Sequence, residues 1–185
     1  ALEGLDFASE LQSNFIIIVN DNDMSIAENH GGLYKNLKEL RESKGTCACN
    51  LFKAMNLDYI YVEDGNNLET LIHTFYDIKD INHPIVVHIN TQKGKGYQIA
   101  EENKENWHWC MPFDIETGKP KVTFEGENYG DLTADYLLYK MKKDSKVVAL
   151  VAGVPTNIGF TKDKRERAGK QFVDVGIAEE HAIAM

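Results

Sequence analysis

The chain contains 185 residues, of which 43% are hydrophobic and 26% are charged, a balance typical of soluble globular proteins. It has no run of 18 apolar residues, which argues against a membrane-spanning helix, and its net charge of −9 argues against a nucleic-acid-binding surface. Cys47, Cys49 and Cys110 fit neither a disulfide framework nor a common zinc pattern, so we expect reduced thiols in a cytoplasmic protein. Because the chain starts without Met and stops inside a helical pattern, we expect it to be part of a longer protein.

Helical and strand patterns alternate through the first half of the chain. The helical patterns cover residues 3–12, 34–43 and 66–78, and the strand patterns cover residues 14–19, 58–62 and 83–90. The unbroken apolar runs "NFIIIV" and "IVVHI" predict strands that are covered on both faces. In the helix at 66–78, the positions Leu68, Leu71, Ile72 and Phe75 follow the spacing of an amphipathic helix.

The second half begins with an irregular segment and then returns to alternation. Residues 91–129 are rich in Gly, Lys, Glu, Asn and aromatic residues and show little periodicity, which is typical of a functional loop or an interdomain linker. Helical patterns follow at 131–144 and from 178 onward, and strand patterns at 146–152 and 171–175. Strands that alternate with helices predict the α/β class, with parallel sheets and flanking helices in two blocks.

Three polar segments directly follow predicted strands, and ligands of open α/β sheets bind beyond the carboxyl ends of strands. Residues 20–25, Asn-Asp-Asn-Asp-Met-Ser, carry oxygen ligands suited to Mg²⁺ or Ca²⁺. In residues 93–97, Lys-Gly-Lys-Gly-Tyr, glycine allows a close backbone approach to phosphate and lysine supplies charge. In residues 174–181 a strand ends near a glycine, and two glutamates and a histidine open the next helix.

Each of these segments also has an ordinary structural interpretation. Residues 20–25 are consistent with a self-capped polar turn, residues 93–97 with a basic turn, and the glutamates with simple complementation of the helix dipole. The first segment lacks the glycine and distal glutamate of an EF-hand, and the second matches no phosphate-binding fingerprint.

Taken in order, the segments "NDNDMSI", "KGKGY", "NWHWC" and "DVGIAEEH" form a more specific pattern. In this order and spacing the sequence resembles the 1-deoxy-D-xylulose-5-phosphate synthase family, which belongs to the transketolase-like thiamine-diphosphate superfamily. The resemblance covers nearly the whole chain. It implies a thiamine-diphosphate-binding fold, with residues 1–127 as the later part of the diphosphate-binding domain plus a linker. Residues 128–185 would be the start of the aminopyrimidine-binding domain.

The resemblance also implies residues for the cofactor and its metal ion. Asn22 corresponds to the asparagine whose amide oxygen binds Mg²⁺, and the backbone carbonyl of Met24 would be a further ligand. Tyr97 would lie against thiamine diphosphate, and Lys93 would supply charge near the diphosphate. The Gly-Asp-Gly sequence that opens the family's metal motif is expected upstream of Ala1, and arginines for the acceptor phosphate are expected beyond Met185.

Two residues are implied as catalytic. Glu179 corresponds to the glutamate that hydrogen-bonds N1′ of the aminopyrimidine and so promotes loss of the thiazolium C2 proton, for which an apolar, dry pocket is expected. His108, six residues before Asp114 as in the family, would orient the pyruvate carboxylate or donate a proton, although an ordinary loop histidine stays an alternative. The other histidines are expected to be mostly structural, and His181 lies nearest the catalytic turn: His30, His73, His83, His88 and His181.

The resemblance implies a transferase that condenses pyruvate with D-glyceraldehyde 3-phosphate to give 1-deoxy-D-xylulose 5-phosphate and CO₂, in isoprenoid and thiamine biosynthesis. It further implies a cytoplasmic homodimer without nucleic-acid or membrane partners. Two alternatives stay open, a transketolase-like enzyme with a ketose phosphate donor and an inactive partner-binding module of the same fold. The sequence departs from the family in three ways. Residues 30–55 replace a much longer segment, and Glu180 stands where glutamine is usual. Residues 152–160, "AGVPTNIGF", replace a segment that usually carries an Arg-Glu pair and more glycine.

Overall fold

The computed structural model describes residues 2–123 and 126–185, which form two compact units. The first unit comprises residues 2–23 and Gly32–Glu101, and the second comprises Met24–Gly31 and Glu102–Met185 without residues 124 and 125. Each unit contains parallel strands with flanking helices, which confirms the predicted α/β class. Within the described ranges, no helix is long and apolar enough to cross a membrane.

The first unit is built on a three-stranded parallel sheet. Its strands are β1 (Ile16–Asp21), β2 (Asp58–Val62) and β3 (Ile85–Asn90), and its helices are α1 (Leu2–Ala8), α2 (Gly32–Glu42), α3 (Leu51–Ala54), α4 (Leu68–Ile78) and α5 (Gln98–Glu102). The strand order is β1-β3-β2, so β3 is central and buried on both faces as predicted. The same prediction was wrong for β1, because this strand lies at the sheet edge and Ile18 is 55% exposed.

Alternate residues of β3 divide the core of the first unit between the two faces of the sheet. On one face, Val86 packs with Leu40 of α2 and Phe52 of α3. On the other face, Val87 packs with Ile78 of α4 and with residues of the neighbouring strands. Helix α4 buries Ile78 and packs the partly buried Leu71 and Phe75 against the core, a narrower apolar face than the sequence predicts, because Leu68 and Ile72 are exposed.

The second unit has a two-stranded parallel sheet, and its regular elements begin after the irregular segment. These elements are α6 (Tyr129–Met141), β4 (Ala149–Val151), α7 (Lys162–Ala168), β5 (Phe172–Asp174) and α8 (Glu179–Ala184). Helix α6 begins at the N-cap Asn128, whose side-chain oxygen accepts the Asp131 N–H at 2.8 Å. It buries Ala134, Leu138 and Met141 and so confirms the helical pattern predicted over residues 131–144. The described residues between β3 and α6, 91–123 and 126–128, contain no strand, as predicted, but they include α5, which the sequence pattern did not indicate.

A glycine just beyond β2 fixes how closely this strand end approaches the end of β3. The Gly65 N–H donates to the Asn90 carbonyl oxygen at 2.9 Å. A Cβ atom at Gly65 would overlap the Ile89 side chain and would lie 2.5 Å from the Asn90 oxygen. The close contact between these two strand ends therefore depends on the absence of a side chain at this position.

We predict that Gly65→Ala lowers the free energy of unfolding by about 1–3 kcal/mol, because the backbone contact cannot yield without shifting β3. Chemical denaturation of the purified protein measures this change. The matched control is Gly32→Ala, where a Cβ meets no atom within 4 Å. Equal stability of the two variants would contradict the prediction.

Candidate functional site

The turn that carries Asn22 and the segment that leads to Lys93 and Tyr97 start side by side at one edge of the first unit's sheet. The register of β1 and β3 pairs Asp21 with Asn90, so both strands end at the same level. The Thr91 N–H donates to the Asp21 carbonyl oxygen at 2.9 Å, and the Thr91 hydroxyl donates to the Asn20 side-chain oxygen at 2.6 Å. These contacts bring two of the predicted binding segments together at the carboxyl edge.

A single arginine, Arg41, contacts the residues before and after Asn22. The guanidinium group of Arg41, on α2, contacts the carboxylates of both Asp21 and Asp23. The Asp23 N–H also donates to Asp21 Oδ1 at 3.0 Å, and Asp23 has a left-handed φ of 64°. Asn22 therefore lies between two carboxylates that are anchored to the same side chain.

A buried histidine extends this network into the sheet. Nε2 of His88, on β3, lies 2.9 Å from Asp21 Oδ2, and its Nδ1 lies 2.8 Å from the Tyr59 hydroxyl oxygen. His88 is 0% exposed. Hydrogen bonding is satisfied throughout when Nε2–H donates to the carboxylate and the Tyr59 hydroxyl donates to Nδ1. The sequence prediction that His88 is structural agrees with its complete burial.

The network changes the acidity of its members. Burial alone would raise the pKa of Asp21, but hydrogen bonds from His88 and Arg41 outweigh this effect and lower the pKa to about 2. Burial also raises the pKa of the Tyr59 hydroxyl, which therefore stays protonated at neutral pH. Asp21 is thus a carboxylate whose negative charge is already compensated within the protein.

The Lys-Gly-Lys-Gly-Tyr segment forms a tight turn closed by Glu101 of α5. The Glu101 carboxylate accepts the Gln92 side-chain N–H at 2.6 Å and the Gly96 N–H at 2.8 Å. Gly94 has a φ of 80°, and a Cβ atom there would lie 2.8 Å from the Ala100 backbone. Lys93 and Tyr97, which are both half-buried, lie within this turn.

In the second unit, Asp174 holds the turn that precedes Glu179. Its Oδ1 accepts the Gly153 N–H, from the loop after β4, at 3.0 Å and the Gly176 N–H at 2.9 Å. Glu179 is the first residue of α8 and its side chain is exposed. The described residues therefore do not form the apolar enclosure that the sequence analysis expects around this carboxylate.

His108 lies in a turn of the same second unit and is exposed. Its N–H donates to the Glu105 carbonyl oxygen at 3.2 Å. The Glu105 carboxylate forms two bonds of 2.9 Å with the guanidinium group of Arg165, which fixes the turn against α7. Next to His108, the Trp107 and Phe113 rings pack edge to face with centroids 4.6 Å apart.

The chain is similar in sequence to known proteins over its whole length. The sequence model described as 1-deoxy-D-xylulose-5-phosphate synthase matches residues 1–50 and 41–91. Proteins named 1-deoxy-D-xylulose-5-phosphate synthase from Clostridium perfringens and Gloeobacter violaceus are each 33% identical to this chain and cover 100% of it. The chain belongs to the 1-deoxy-D-xylulose-5-phosphate synthase family.

The chain spans about a third of the length of the curated members of this synthase family that it matches, at 35% for the Clostridium perfringens relative and 36% for the Gloeobacter violaceus relative. A further relative, 1-deoxy-D-xylulose-5-phosphate synthase 1 of Geobacter sulfurreducens, is 33% identical over 99% of this chain and 34% of its own length. The alignments extend over 220 to 228 residues, so these synthases carry additional residues relative to the chain.

The donors at the Asn22 turn fit the magnesium ion that the synthase resemblance implies. Among residues 2–123 and 126–185, no group of three or more His, Cys, Asp or Glu side chains could hold a metal ion. The amide oxygen of Asn22 and the backbone carbonyl of Met24 are hard oxygen donors of the kind that Mg²⁺ accepts. Because Mg²⁺ prefers six oxygen ligands, these two donors would supply only part of its coordination.

Sequence reasoning did not identify the side chains that support this candidate site. Arg41 and Glu101 each hold a turn that carries a candidate residue, yet neither belongs to a motif. Asp174 opens the "DVGIAEEH" segment, but nothing in the sequence indicates that it holds the turn before Glu179. The contact between Asp21 and His88 was partly foreseeable. Side chains alternate between the two faces along paired strands, and this alternation places Asp21 and His88 on the same face of the sheet. No comparable pattern pointed to Arg41 or Glu101.

We predict that Asp21→Asn destabilises the protein by roughly 3–5 kcal/mol at pH 7, because Arg41 loses its buried counter-charge and His88 loses the carboxylate that accepts its N–H. Because the folded-state pKa of Asp21 lies below its usual value, the carboxylate contributes stability above pH 4 and loses it as the pH falls towards 2. The difference between wild type and variant should therefore shrink by about 1 kcal/mol between pH 7 and pH 3. Denaturation curves at both pH values test this, and a constant difference would contradict it.

Proposed function

We propose that the protein containing this chain is a thiamine-diphosphate- and Mg²⁺-dependent transferase. It condenses pyruvate with D-glyceraldehyde 3-phosphate and releases 1-deoxy-D-xylulose 5-phosphate and CO₂. Family membership supports this activity, since the relatives that match the chain carry the name of this synthase. The observation that carries the proposal is that the strands leading to Asn22 and to the Lys93–Tyr97 segment end side by side at one carboxyl edge, where α/β sheets bind ligands.

The first unit would hold the diphosphate end of the cofactor. Asn22 would bind Mg²⁺ there, together with the carbonyl of Met24, the residue at which the chain enters the second unit. Lys93 would add positive charge beside the diphosphate. Tyr97 would lie against the cofactor, in a turn whose conformation is fixed by Glu101. These local cations matter because the net charge of −9 does not attract anionic substrates.

The second unit would supply proton transfer. Thiamine diphosphate, when bound, provides the carbon nucleophile and the electron sink. Glu179 would share a proton with N1′ of the aminopyrimidine, and Asp174 would keep the preceding turn in place. His108 would orient the pyruvate carboxylate or donate a proton to the developing oxyanion, from a turn anchored by Glu105 and Arg165.

The surroundings of Glu179 support a homodimer. A carboxyl group that shares a proton needs a dry environment, whereas Glu179 is exposed in this chain. Ile177, Ile183 and Met185 nearby are exposed apolar side chains, which a second subunit would cover. In the described part of the chain all three cysteines are free, which supports a reducing, cytoplasmic location. Residues 1–127 and 128–185 would belong to the diphosphate-binding and aminopyrimidine-binding domains.

A donor assay on the purified protein tests the proposed activity. We expect CO₂ release from [1-¹⁴C]pyruvate that requires thiamine diphosphate, Mg²⁺ and D-glyceraldehyde 3-phosphate. Turnover of xylulose 5-phosphate without decarboxylation of pyruvate would indicate a transketolase instead. Calorimetry that detects no saturable binding of thiamine diphosphate would contradict enzymatic function altogether.

We predict that Glu179→Gln lowers kcat by roughly 10²–10⁴-fold, because the amide cannot exchange a proton with the cofactor ring. The matched control is Glu180→Gln, an exposed glutamate in the same first turn of α8, which should retain activity within about threefold since surface charges contribute little. Steady-state kinetics with both variants measures the difference. Full activity of the Glu179 variant would refute the assigned role.

A further inference from the structure

We propose that Arg41, Asp21 and His88 are positioning residues that hold the Asn22 turn preformed for Mg²⁺ before the metal arrives. This inference rests on the proposed function for the identity of the metal, but the contacts of Arg41, Asp21 and His88 that carry it lie within the first unit. It assigns Asp21 to structural support of the ligating turn and not to coordination. The metal would then meet a turn whose backbone is already fixed.

Asp23 has a left-handed backbone conformation, with a φ of 64°. A left-handed backbone at a residue other than glycine is unfavourable and persists only when its surroundings hold it. Here two contacts do so, since the Asp23 N–H donates to Asp21 Oδ1 and the Asp23 carboxylate contacts Arg41. This residue is the one between Asn22 and Met24, so its conformation sets the direction in which both proposed donors leave the turn.

The carboxylate of Asp21 is held through both of its oxygen atoms. Arg41 and His88 both contact Oδ2, and the Asp23 N–H occupies Oδ1, so rotation of the carboxylate would break at least one bond. The side chain is 4% exposed, and water therefore cannot replace a lost partner. The carboxylate of Asp21 therefore stays directed at Arg41 and His88.

His88 links Asp21 to β3, the central strand of the sheet. His88 is fully buried on β3, and its other ring nitrogen is bonded to Tyr59 on β2. The chain of contacts thus crosses all three strands, from Tyr59 through His88 to Asp21 at the end of β1. Side chains that orient metal ligands from behind commonly change metal affinity 10–100-fold when they are mutated.

The decisive experiment compares Arg41→Gln with wild type in the purified protein. Calorimetric titration of Mg²⁺ at saturating thiamine diphosphate should show a 10–100-fold weaker affinity in the variant. Without metal or cofactor, hydrogen exchange of the Asp23 amide should be faster in the variant, a readout that does not depend on catalysis. The matched control Arg167→Gln removes an exposed arginine of α7 and should leave both quantities unchanged.

Two further variants guard against simple loss of folding. Asp23→Ala removes one contact of Arg41 from a side chain that is 67% exposed, so the core stays intact while Mg²⁺ binding should still weaken. His88→Leu should weaken Mg²⁺ binding, and His88→Gln, which keeps an N–H donor for Asp21, should restore part of it. A merely structural histidine would give the same Mg²⁺ affinity in both folded variants.

The outcomes separate the two proposals. Folded Arg41→Gln and Asp23→Ala proteins with wild-type Mg²⁺ affinity and wild-type exchange at Asp23 would overturn the positioning role, while the proposed function would stand. A wild-type protein that binds no Mg²⁺ in the presence of thiamine diphosphate would overturn the proposed function and, with it, the role of the network in metal binding.

Discussion

The contact between the buried carboxylate of Asp21 and the buried ring of His88, in the three-stranded sheet, determines which other residues of the first unit must be in place. Asp21 and His88 lie on neighbouring strands and are almost completely excluded from water. A charge in that position is stable only when hydrogen-bonding partners compensate it, so Arg41 and Tyr59 must also be in place. The elements that carry these residues, α2 and β2, are therefore fixed relative to the carboxyl ends of β1 and β3.

The same constraint bears on the two carboxylates of the Asn22 turn. Two acidic side chains next to Asn22 suggest a metal site at first sight, yet both contact Arg41. In the proposed site the ligands would instead be a neutral amide oxygen and a backbone carbonyl oxygen, and the negative charge on the ion would come from the diphosphate. In the second unit, too, an aspartate supports a turn. Asp174 accepts backbone N–H groups there, whereas Glu179 is exposed.

Much of the fold follows from sequence periodicity, because β3, α4 and α6 each have an apolar pattern of the correct repeat. The exposure of Ile18 did not follow, since periodicity cannot tell an edge strand from a central one. The segments of the candidate site were recognisable because they are local in the chain. Their supports were not, because His88 meets Asp21 across 67 positions and Arg165 meets Glu105 across 60. Such contacts depend on tertiary packing and leave no short motif.

A crystal structure of the purified protein with thiamine diphosphate and Mg²⁺ would show which oxygen atoms coordinate the ion. We expect Asn22 Oδ1 and the Met24 carbonyl oxygen to coordinate it, and Asp21 to stay bonded to Arg41 and His88. A metal ion coordinated by the carboxylate of Asp21 or Asp23, or one bound away from the Asn22 turn, would contradict this expectation.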